Sequence, residues 1–292
     1  MALFDHMETG IETQSPPASM PTSVLVIEPS RGWMSLQLDR LWHYRELLYF
    51  LVWRDVKVRY KQTALGVAWV LLQPLLTTLV FTVLFGLLLK VPSGDIPYPI
   101  FALTGLIAWQ YFAGSLTRAS SSLVGSANLI TKVYFPRLII PVSGVLGGLV
   151  DFVIGLGLLL VLMFVYRYPL TPAVLLLPAF LLLAMATALG FGLWLAALNV
   201  KYRDINYLVP FMVQIWLYVT PVAFGSTLIP ERYRWLMGLN PMTGVVEGFR
   251  WALLGQEPPG RLFALAVIIT VTVLVTGLIF FRRTERTFAD IV

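Results

Sequence analysis

The chain has 292 residues, of which 58% are hydrophobic and only 12% are charged, whereas an ordinary soluble domain has about 25% charged residues. This composition excludes a soluble enzyme and indicates that a bilayer is the main solvent. The chain has no cysteine and only two histidines, which excludes disulfides, thiolate chemistry and cysteine-based metal sites and leaves little material for a histidine relay. The net charge of +6 is more typical of loops that face anionic lipid than of nucleic-acid binding.

The chain before the first apolar stretch divides into two segments. Residues 1–30 are polar and rich in Pro, Ser and Thr, which predicts a disordered cytoplasmic tail and not a signal peptide. Residues 31–61 are predicted to form an amphipathic interfacial segment on the cytoplasmic side of the membrane. On a helix, one apolar stripe at a spacing of four would consist of Tyr44, Leu48, Val52, Val56 and Tyr60.

Basic residues gather at the end of the interfacial segment. They are Arg54, Lys57, Arg59 and Lys61. Guanidinium and ammonium groups suit two tasks, which are anchoring to anionic head groups and capture of a phosphate or diphosphate carried by a lipid. Periodicity does not separate these two interpretations.

Six stretches are long and apolar enough to cross a bilayer, because a helix needs about 20 apolar residues to span about 30 Å of hydrocarbon. The predicted spans cover about residues 64–89, 97–117, 138–165, 172–198, 206–228 and 262–281. An even number of spans places both termini on one side, and most of the 21 lysines and arginines lie on that side. The sequence therefore predicts an all-α integral membrane protein with a transmembrane domain at 62–281 and both termini, including residues 282–292, in the cytoplasm.

Two connecting segments are predicted to be helical. Residues 121–135 have a serine-rich start and stop before Pro136, which predicts a short cytoplasmic helix that is either a plain connector or a docking element for a partner. Residues 229–255 are apolar for a loop and predict two short external re-entrant helices, the second with Asn240 as N-cap, Pro241 at its first turn and Gly255 at its end. A lid role for Asn240, Pro241, Phe249 and Trp251 competes with simple interfacial packing.

Within the predicted third span, Asp151 is the one ionisable residue, and such a residue usually faces protein or water. A structural hydrogen bond and proton coupling are both compatible with it, and the first is favoured because no histidine or second acid is near in sequence. Gly144 and Gly148 on the same span predict close helix packing, with dimerisation as the alternative.

Aromatic residues gather at positions that could line a path for a sugar polymer. They are Trp69, Phe81, Phe85, Trp109, Tyr111, Phe112, Trp216 and Tyr218. Their rings suit sugar faces and also suit the membrane interface, where Trp and Tyr are enriched.

The sequence contains no P-loop, no HExxH motif and no set of side chains that would form a hydrolytic triad. We therefore expect no catalytic residue, metal site or cofactor in this chain, and any ATP and Mg²⁺ in a separate partner subunit. A third functional class, a membrane-embedded glycosyltransferase or acyltransferase, is disfavoured because the sequence lacks the set of catalytic residues that such an enzyme needs.

Several separated motifs occur in an order that resembles the membrane subunit of polysaccharide-exporting ATP-binding-cassette transporters. They are VIEPSRGW at 26–33, YRELL at 44–48, WRDVKVRYKQT at 53–63, NLITKVYFPR at 128–137 and NPM at 240–242. The resemblance implies a homodimeric permease in the bacterial inner membrane, joined to two copies of an ATPase, that moves a glycan on undecaprenyl diphosphate. Among the exporters of this family, the sequence is most similar to the O-antigen type.

The resemblance also implies residue roles. Diphosphate binding would fall to the four basic residues of the interfacial segment, and contact with the ATPase to Leu123, Ala127, Asn128, Leu129, Ile130, Thr131, Lys132 and Tyr134. Membrane lipids would contact the spans, and the lipid carrier would pass between the first and fifth of them. A gradient-driven flippase that uses Asp151 is the alternative function.

Overall fold

The computed structural model describes residues 42–61, 66–285 and 288, which all belong to one unit of the chain at 39–292. The predicted tail at 1–30 and the motif at 26–33 lie outside the described residues. Every regular element in the described ranges is helical, as predicted.

The helices are numbered here in chain order. They are α1 Arg45–Lys61, α2 Gly66–Phe81 with a π-helix Thr82–Leu88, α3 Tyr98–Gly125, α4 Ala127–Lys132, α5 Ile139–Leu146, α6 Gly148–Val165, a 3₁₀ turn Pro172–Leu176 leading into α7 Leu177–Lys201, α8 Ile205–Val219, α9 Glu231–Gly238, α10 Pro241–Leu254 and α11 Leu262–Thr284.

Five helical stretches are long and apolar enough to span a membrane. They are Ala68–Leu88, Tyr98–Gly125, Ile139–Val165, Pro172–Lys201 and Leu262–Thr284. These match five of the six predicted spans, so the chain is a multi-pass membrane protein.

The predicted span at 206–228 differs in the structure. Helix α8 has 15 residues, about 22 Å at 1.5 Å per residue, which is shorter than a hydrocarbon core of about 30 Å. It ends at Thr220, whose backbone is extended, because a residue before a proline is disfavoured in the helical conformation and Pro221 follows. The six-span topology therefore stays a prediction.

The predicted short helix at 121–135 is two elements in the structure. Helix α3 continues to Gly125, and α4 begins after a break at Ser126. The serines at the end of α3 donate to carbonyls one turn back, as in the bonds from Ser120 and Ser121 to the carbonyl of Thr117. Hydroxyls that bond within the same helix do not interrupt it, which is why the serine-rich stretch lengthens α3.

Helix α3 is the centre of the fold. It packs against α5, α6, α7 and α10, and residues along most of its length are buried. A Cβ atom at Gly144 would lie 3.3 Å from the backbone nitrogen of Ala119 on α3. The predicted close packing of the glycine pair is thus confirmed, and α3 already occupies the face that the dimerisation alternative needs.

The predicted pair of short helices after α8 is present as α9 and α10. The side chain of Asn240 accepts a hydrogen bond from the backbone N–H of Met242 at 3.1 Å, and Gly255 has φ +67°, which confirms the predicted ends of α10. Helix α10 is buried on nearly all sides. Whether this pair re-enters an outer leaflet stays a prediction.

Helix α1 packs on α5 at one end of the spans. Leu51 is buried there with Ile139, and Tyr44 and Leu48 pack around them. Tyr44 and Leu48 belong to the predicted stripe, whereas the fully buried Leu51 was missed because it lies one position off the spacing of four. The helix nonetheless uses one apolar side to contact the domain.

Candidate functional site

Asp151, in the first turn of α6, is the meeting point of three helices. Its Oδ2 accepts from Nη1 of Arg59 at 2.5 Å, and its Oδ1 accepts from the Tyr60 hydroxyl at 2.5 Å. Nη1 of Arg118, on α3, lies 3.4 Å from the same Oδ2. We call these four residues the Asp151 cluster. It confirms the predicted structural hydrogen bond at Asp151 and joins α1, α3 and α6.

The guanidinium of Arg118 is held by groups of three helices. Its Nε donates to the Gly144 carbonyl at 3.0 Å and its Nη2 donates to the Ser115 hydroxyl at 3.2 Å. A Cβ atom at Gly148 would overlap Nη2 and approach the Ser115 oxygen to 2.7 Å. The glycine pair therefore serves both helix packing and the housing of this arginine.

Sequence reasoning missed Arg118 as a site residue, because the predicted span ended at residue 117 and left this arginine in the connecting segment on the cytoplasmic side. The signal available in the sequence was a set of glycines that leave room for the Arg118 side chain. Gly114 lies one helical turn before Arg118, where a Cβ atom would approach Nη1 to 3.0 Å, and the glycine pair follows on the next span.

The Asp151 cluster lines one end of an open cavity of about 650 Å³ between α1, α2, α3 and α6. The cavity is also lined by the amides of Gln73 and Gln110 and by apolar groups. These are Trp69, Val70, Pro74, Ile107, Phe152 and Gly155. On α3, Arg118 and Ile107 are separated by about 16 Å at 1.5 Å per residue. The lining of the cavity thus contains both charged and apolar groups and extends over roughly half the thickness of a bilayer core.

The Tyr60 hydroxyl is a donor at all physiological pH values. Burial, together with the hydrogen bond to Asp151 and the negative charge of that residue, raises the pKa of Tyr60 to about 12. A phenol that stays protonated can donate only if an acceptor is held beside it, and the Asp151 carboxylate is that acceptor.

The four predicted diphosphate ligands have different surroundings. Arg59 faces Asp151 in the cavity. Arg54 instead pairs with its neighbour Asp55 at 2.8 Å, with side chains 40% and 31% exposed. Lys57 and Lys61 are exposed on the surface of α1. The structure therefore brings one of the four into the cavity and leaves two free to attract anions from outside.

The predicted path aromatics fall into two groups. Trp109, Tyr111 and Phe112 are buried in the core of the chain, and Trp216 is half-buried against Phe112 with ring centres 5.0 Å apart. The three buried rings are enclosed by other groups of the same subunit, and a role for them in a glycan path stays a prediction. They are buried because α3 is central to the fold, which hydropathy alone did not show.

The other aromatics are accessible. Trp69 is 55% and Tyr218 is 68% exposed, and the half-buried rings of Phe81 and Phe85 pack edge to face with centres 5.4 Å apart. Helix α8 adds two exposed rings that the prediction omitted, Tyr207 and Phe211.

The predicted ATPase contacts also separate by burial. Leu123 and Ile130 are buried and Leu129 packs beside them, so these three hold α4 against the domain, and Ala127 is half-buried. The exposed members are Asn128, Thr131, Lys132 and Tyr134. Tyr134 is 71% exposed and Lys132 supplies a positive charge at the helix end.

The predicted lid residues pack inside the chain. Asn240 and Pro241 are buried, Phe249 packs on Phe152 with ring centres 5.9 Å apart, and Trp251 packs on Phe180 at 6.0 Å. This geometry favours the packing interpretation of α10 over a mobile lid.

Arg250 on α10 is a charged residue in a predominantly apolar helix, and it is only 1% exposed. Its Nη1 donates to the carbonyls of Pro221 and Phe224 at 2.8 and 3.1 Å, and its Nη2 donates to that of Val222 at 2.6 Å. The guanidinium lies 3.6 Å from the ring centre of Phe101. Arg250 thus ties α10 and α3 to the chain that follows α8.

The sequence profile of the ABC-2 type transporter family matches residues 46–254. The chain belongs to the ABC-2 type transporter family. The matched range contains nearly all of α1, the whole cavity, α4 and α10. This result confirms the resemblance that the separated motifs indicated.

Individual relatives match over most of their length. The O-antigen export system permease protein RfbA of Klebsiella pneumoniae is 30% identical over 266 residues, which is 88% of this chain and 100% of that protein. RfbA of Myxococcus xanthus is 35% identical over 255 residues, covering 86% of this chain and 96% of the relative. The polysialic acid transport protein KpsM of Escherichia coli is 23% identical over 240 residues, covering 80% and 91%.

Proposed function

We propose that this chain is the permease subunit of an ATP-driven exporter of a lipid-linked polysaccharide, and that this polysaccharide is an O-antigen. The observation that carries the proposal is the similarity, over nearly the full length of both proteins, to two O-antigen export permeases. Under the proposal, two copies of the chain form a channel across the bacterial inner membrane with all termini in the cytoplasm. The glycan travels on undecaprenyl diphosphate.

The energy source in this proposal is a separate nucleotide-binding subunit, present in two copies with ATP and Mg²⁺, because the sequence has no P-loop. The exposed surface of α4 supports a docking role for that element. Helix α3 runs without a break from Tyr98 to Gly125, so a displacement of α4 by the partner would be passed along a continuous helix. Such a displacement moves the permease only if its two states differ in these contacts.

The glycan path in this proposal follows the accessible aromatic rings of α2 and α8. Exposed rings such as Trp69, Phe211 and Tyr218 offer flat, replaceable contacts to sugars. A moving polymer needs many weak sites, because one deep well would stop it. The basic residues of α1 would attract the diphosphate of the carrier to the same end of the spans.

Charge reversal on α4 tests the proposal. Lys132→Glu is expected to abolish surface polysaccharide and to release the nucleotide-binding subunit from the purified complex, since it places a negative charge on the docking surface. Arg232→Glu is the matched control, because Arg232 is an exposed cation on α9. Export is read from polysaccharide at the cell surface and association from co-purification.

Two outcomes contradict the proposal. Wild-type export and association in the Lys132→Glu variant would exclude α4 as the docking element. Cells that lack this chain but still display the polysaccharide at normal levels would exclude the exporter function itself.

A further inference from the structure

The cavity beside α1 has the polarity of an amphiphile. Its charged end carries Arg59, Arg118 and Asp151, and its apolar lining includes Pro74 and Ile107, which lie further along α2 and α3 from that end. The charged end lies where α1, which is outside the spans, meets the bundle. A volume of about 650 Å³ is within the range of sites that hold small-molecule ligands.

The charges in the cavity do not balance. Two guanidinium groups face one carboxylate, which gives a net charge of +1 among the lining residues that the structure describes. The contact from Arg118 to Asp151 is long, at 3.4 Å, whereas that from Arg59 is 2.5 Å. The Nη1 group of Arg118 therefore has donor capacity that the carboxylate uses poorly.

The charged groups are also accessible. The side chains of Arg59, Arg118 and Asp151 are 29%, 26% and 28% exposed. A guanidinium at the border of an open cavity can bind a second anion without leaving its helix. Forked pairing with phosphate oxygens is the contact that arginine makes best.

We infer that this cavity binds the phosphate group of a lipid between Arg59 and Arg118, with part of the hydrocarbon chain along the apolar end. This site deepens the proposed function, on which it rests, and adds Arg118 to the residues that contact the lipid. The phosphate can belong to the carrier of the glycan or to an anionic membrane lipid, because the recognised chemistry is the same.

Asp151 acts in this site as an internal competitor. Without a ligand it holds Arg59 and Tyr60, and so joins α1 to α6. A phosphate that takes the arginines breaks the bond from Arg59 to Asp151, so that of these two bonds from α1 the one from Tyr60 is left. Lipid binding is thereby coupled to the position of the interfacial helix, since the two states differ in these contacts.

The test is native mass spectrometry of the full-length protein, purified with its accompanying subunits and stripped of lipid by detergent exchange. Undecaprenyl phosphate, phosphatidylglycerol and zwitterionic phosphatidylcholine are titrated separately. The double variant Arg59→Gln/Arg118→Gln is expected to bind the anionic probes at least about tenfold more weakly. The control Lys201→Gln/Arg203→Gln removes two exposed charges at the same end of the spans and is expected to stay within about twofold.

Asp151→Asn supplies a result that a merely structural role would not give. It removes the competing carboxylate while keeping a similar shape, so anionic lipids are expected to bind several-fold more tightly. Where Asp151→Asn does not assemble, Gly155→Leu decides, because it adds an apolar side chain beside Ile107 in the cavity and leaves all charges in place. It is expected to weaken the binding of both anionic lipids about tenfold.

The source of the phosphate follows from the order of affinities. Tighter binding of undecaprenyl phosphate assigns the site to the carrier, and equal or tighter binding of phosphatidylglycerol assigns it to a resident lipid. The inference is overturned when phosphatidylcholine binds as well as the anionic probes, when the double arginine variant binds like wild type, or when Asp151→Asn binds more weakly.

Export is scored separately in cells that carry the same variants. Wild-type export by a protein that binds no anionic lipid would overturn the inference and leave the proposed function intact. Anionic lipid binding by a protein whose loss does not affect surface polysaccharide would overturn the proposed function instead.

Discussion

Two arginines lie against opposite ends of α3 and show how differently one residue type is used. Arg250 covers the ring of Phe101 in the first turn of α3 and is 1% exposed. Arg118 belongs to the other end of α3, and its side chain is 26% exposed at the border of a cavity. The first is enclosed by protein, and the second faces open space.

The partners of the two arginines explain this difference. Arg250 donates to three backbone carbonyls between Pro221 and Phe224, which would otherwise be unpaired where the chain leaves α8. Arg118 has one carbonyl, one hydroxyl and a distant carboxylate. A guanidinium whose donors are used by fixed backbone groups is structural, whereas one with spare donors beside a cavity can bind a ligand.

The largest predicted effect is loss of the enclosed arginine. Arg250→Met keeps much of the side-chain volume but leaves three carbonyls unpaired in the core, so we expect the chain to lose about 3 kcal/mol or more of stability. Thermal unfolding of the purified protein measures this loss. Arg232→Met on the surface of α9 is the control, and equal melting temperatures for the two variants would show that the carbonyls find other partners.

The second predicted effect concerns the space around Arg118. Gly148→Val places side-chain atoms where Nη2 now lies, so we expect a cost of about 1–3 kcal/mol and loss of export as Arg118 leaves Asp151. Gly157→Val on the same helix is the control, because a Cβ atom there meets nothing within 4 Å. Export at the wild-type level in Gly148→Val would refute the link between Arg118 and transport.

What the sequence could predict was mostly local. The ends of α10 follow from Asn240 and Gly255, whose capping preferences depend on their own backbone, and five spans follow from apolar length. The early end of α8 also has a local signal, which is Pro221. The predicted span passed over this signal because the apolar run continues to residue 228. The predicted span that ends at residue 117 is too short, because the serines after it were taken as the start of a new helix. In the structure they bond to carbonyls within α3, which continues to Gly125.

The sites depend on contacts that sequence spacing does not encode. Asp151 was recognised from its position in a span, but its partners come from residues 59, 60 and 118. Arg250 and Leu51 are buried by elements far away in the chain, so neither charge nor a spacing of four revealed them. The burial of Trp109, Tyr111 and Phe112 was not visible in the sequence for the same reason, since burial inside one subunit is a property of the fold.

Replacement of each arginine by lysine separates the structural role of Arg250 from the binding role of Arg118. Lysine keeps the charge but loses the planar fork, so Arg250→Lys is expected to cost about 2 kcal/mol of stability because three carbonyls need fixed donors. Arg118→Lys is expected to cost about 1 kcal/mol and to weaken anionic lipid binding several-fold. Melting temperatures and lipid titrations of the pair give both numbers. The reverse ranking of stabilities would mean that Arg118, not Arg250, is the structural tie.

The smallest predicted effect is at Tyr60, whose hydroxyl makes one bond to Asp151. Tyr60→Phe should cost about 1 kcal/mol, and this cost should depend on pH in one direction only. The pKa of Tyr60 is raised in the fold to about 12 from an ordinary value of 10, so the hydroxyl contributes fully below pH 10, and its contribution is lost as pH rises toward 12.

Melting temperatures of wild type and Tyr60→Phe should therefore differ by a constant amount from pH 6 to 9 and converge above pH 10. Tyr49→Phe, at a position 70% exposed on the same helix, is expected to match wild type throughout. A difference that grew with pH would mean that Tyr60 is held as a phenolate. Asp151 would then lack one of its two donors from α1, and Arg59 would be the donor that still joins α1 to Asp151 at the cavity.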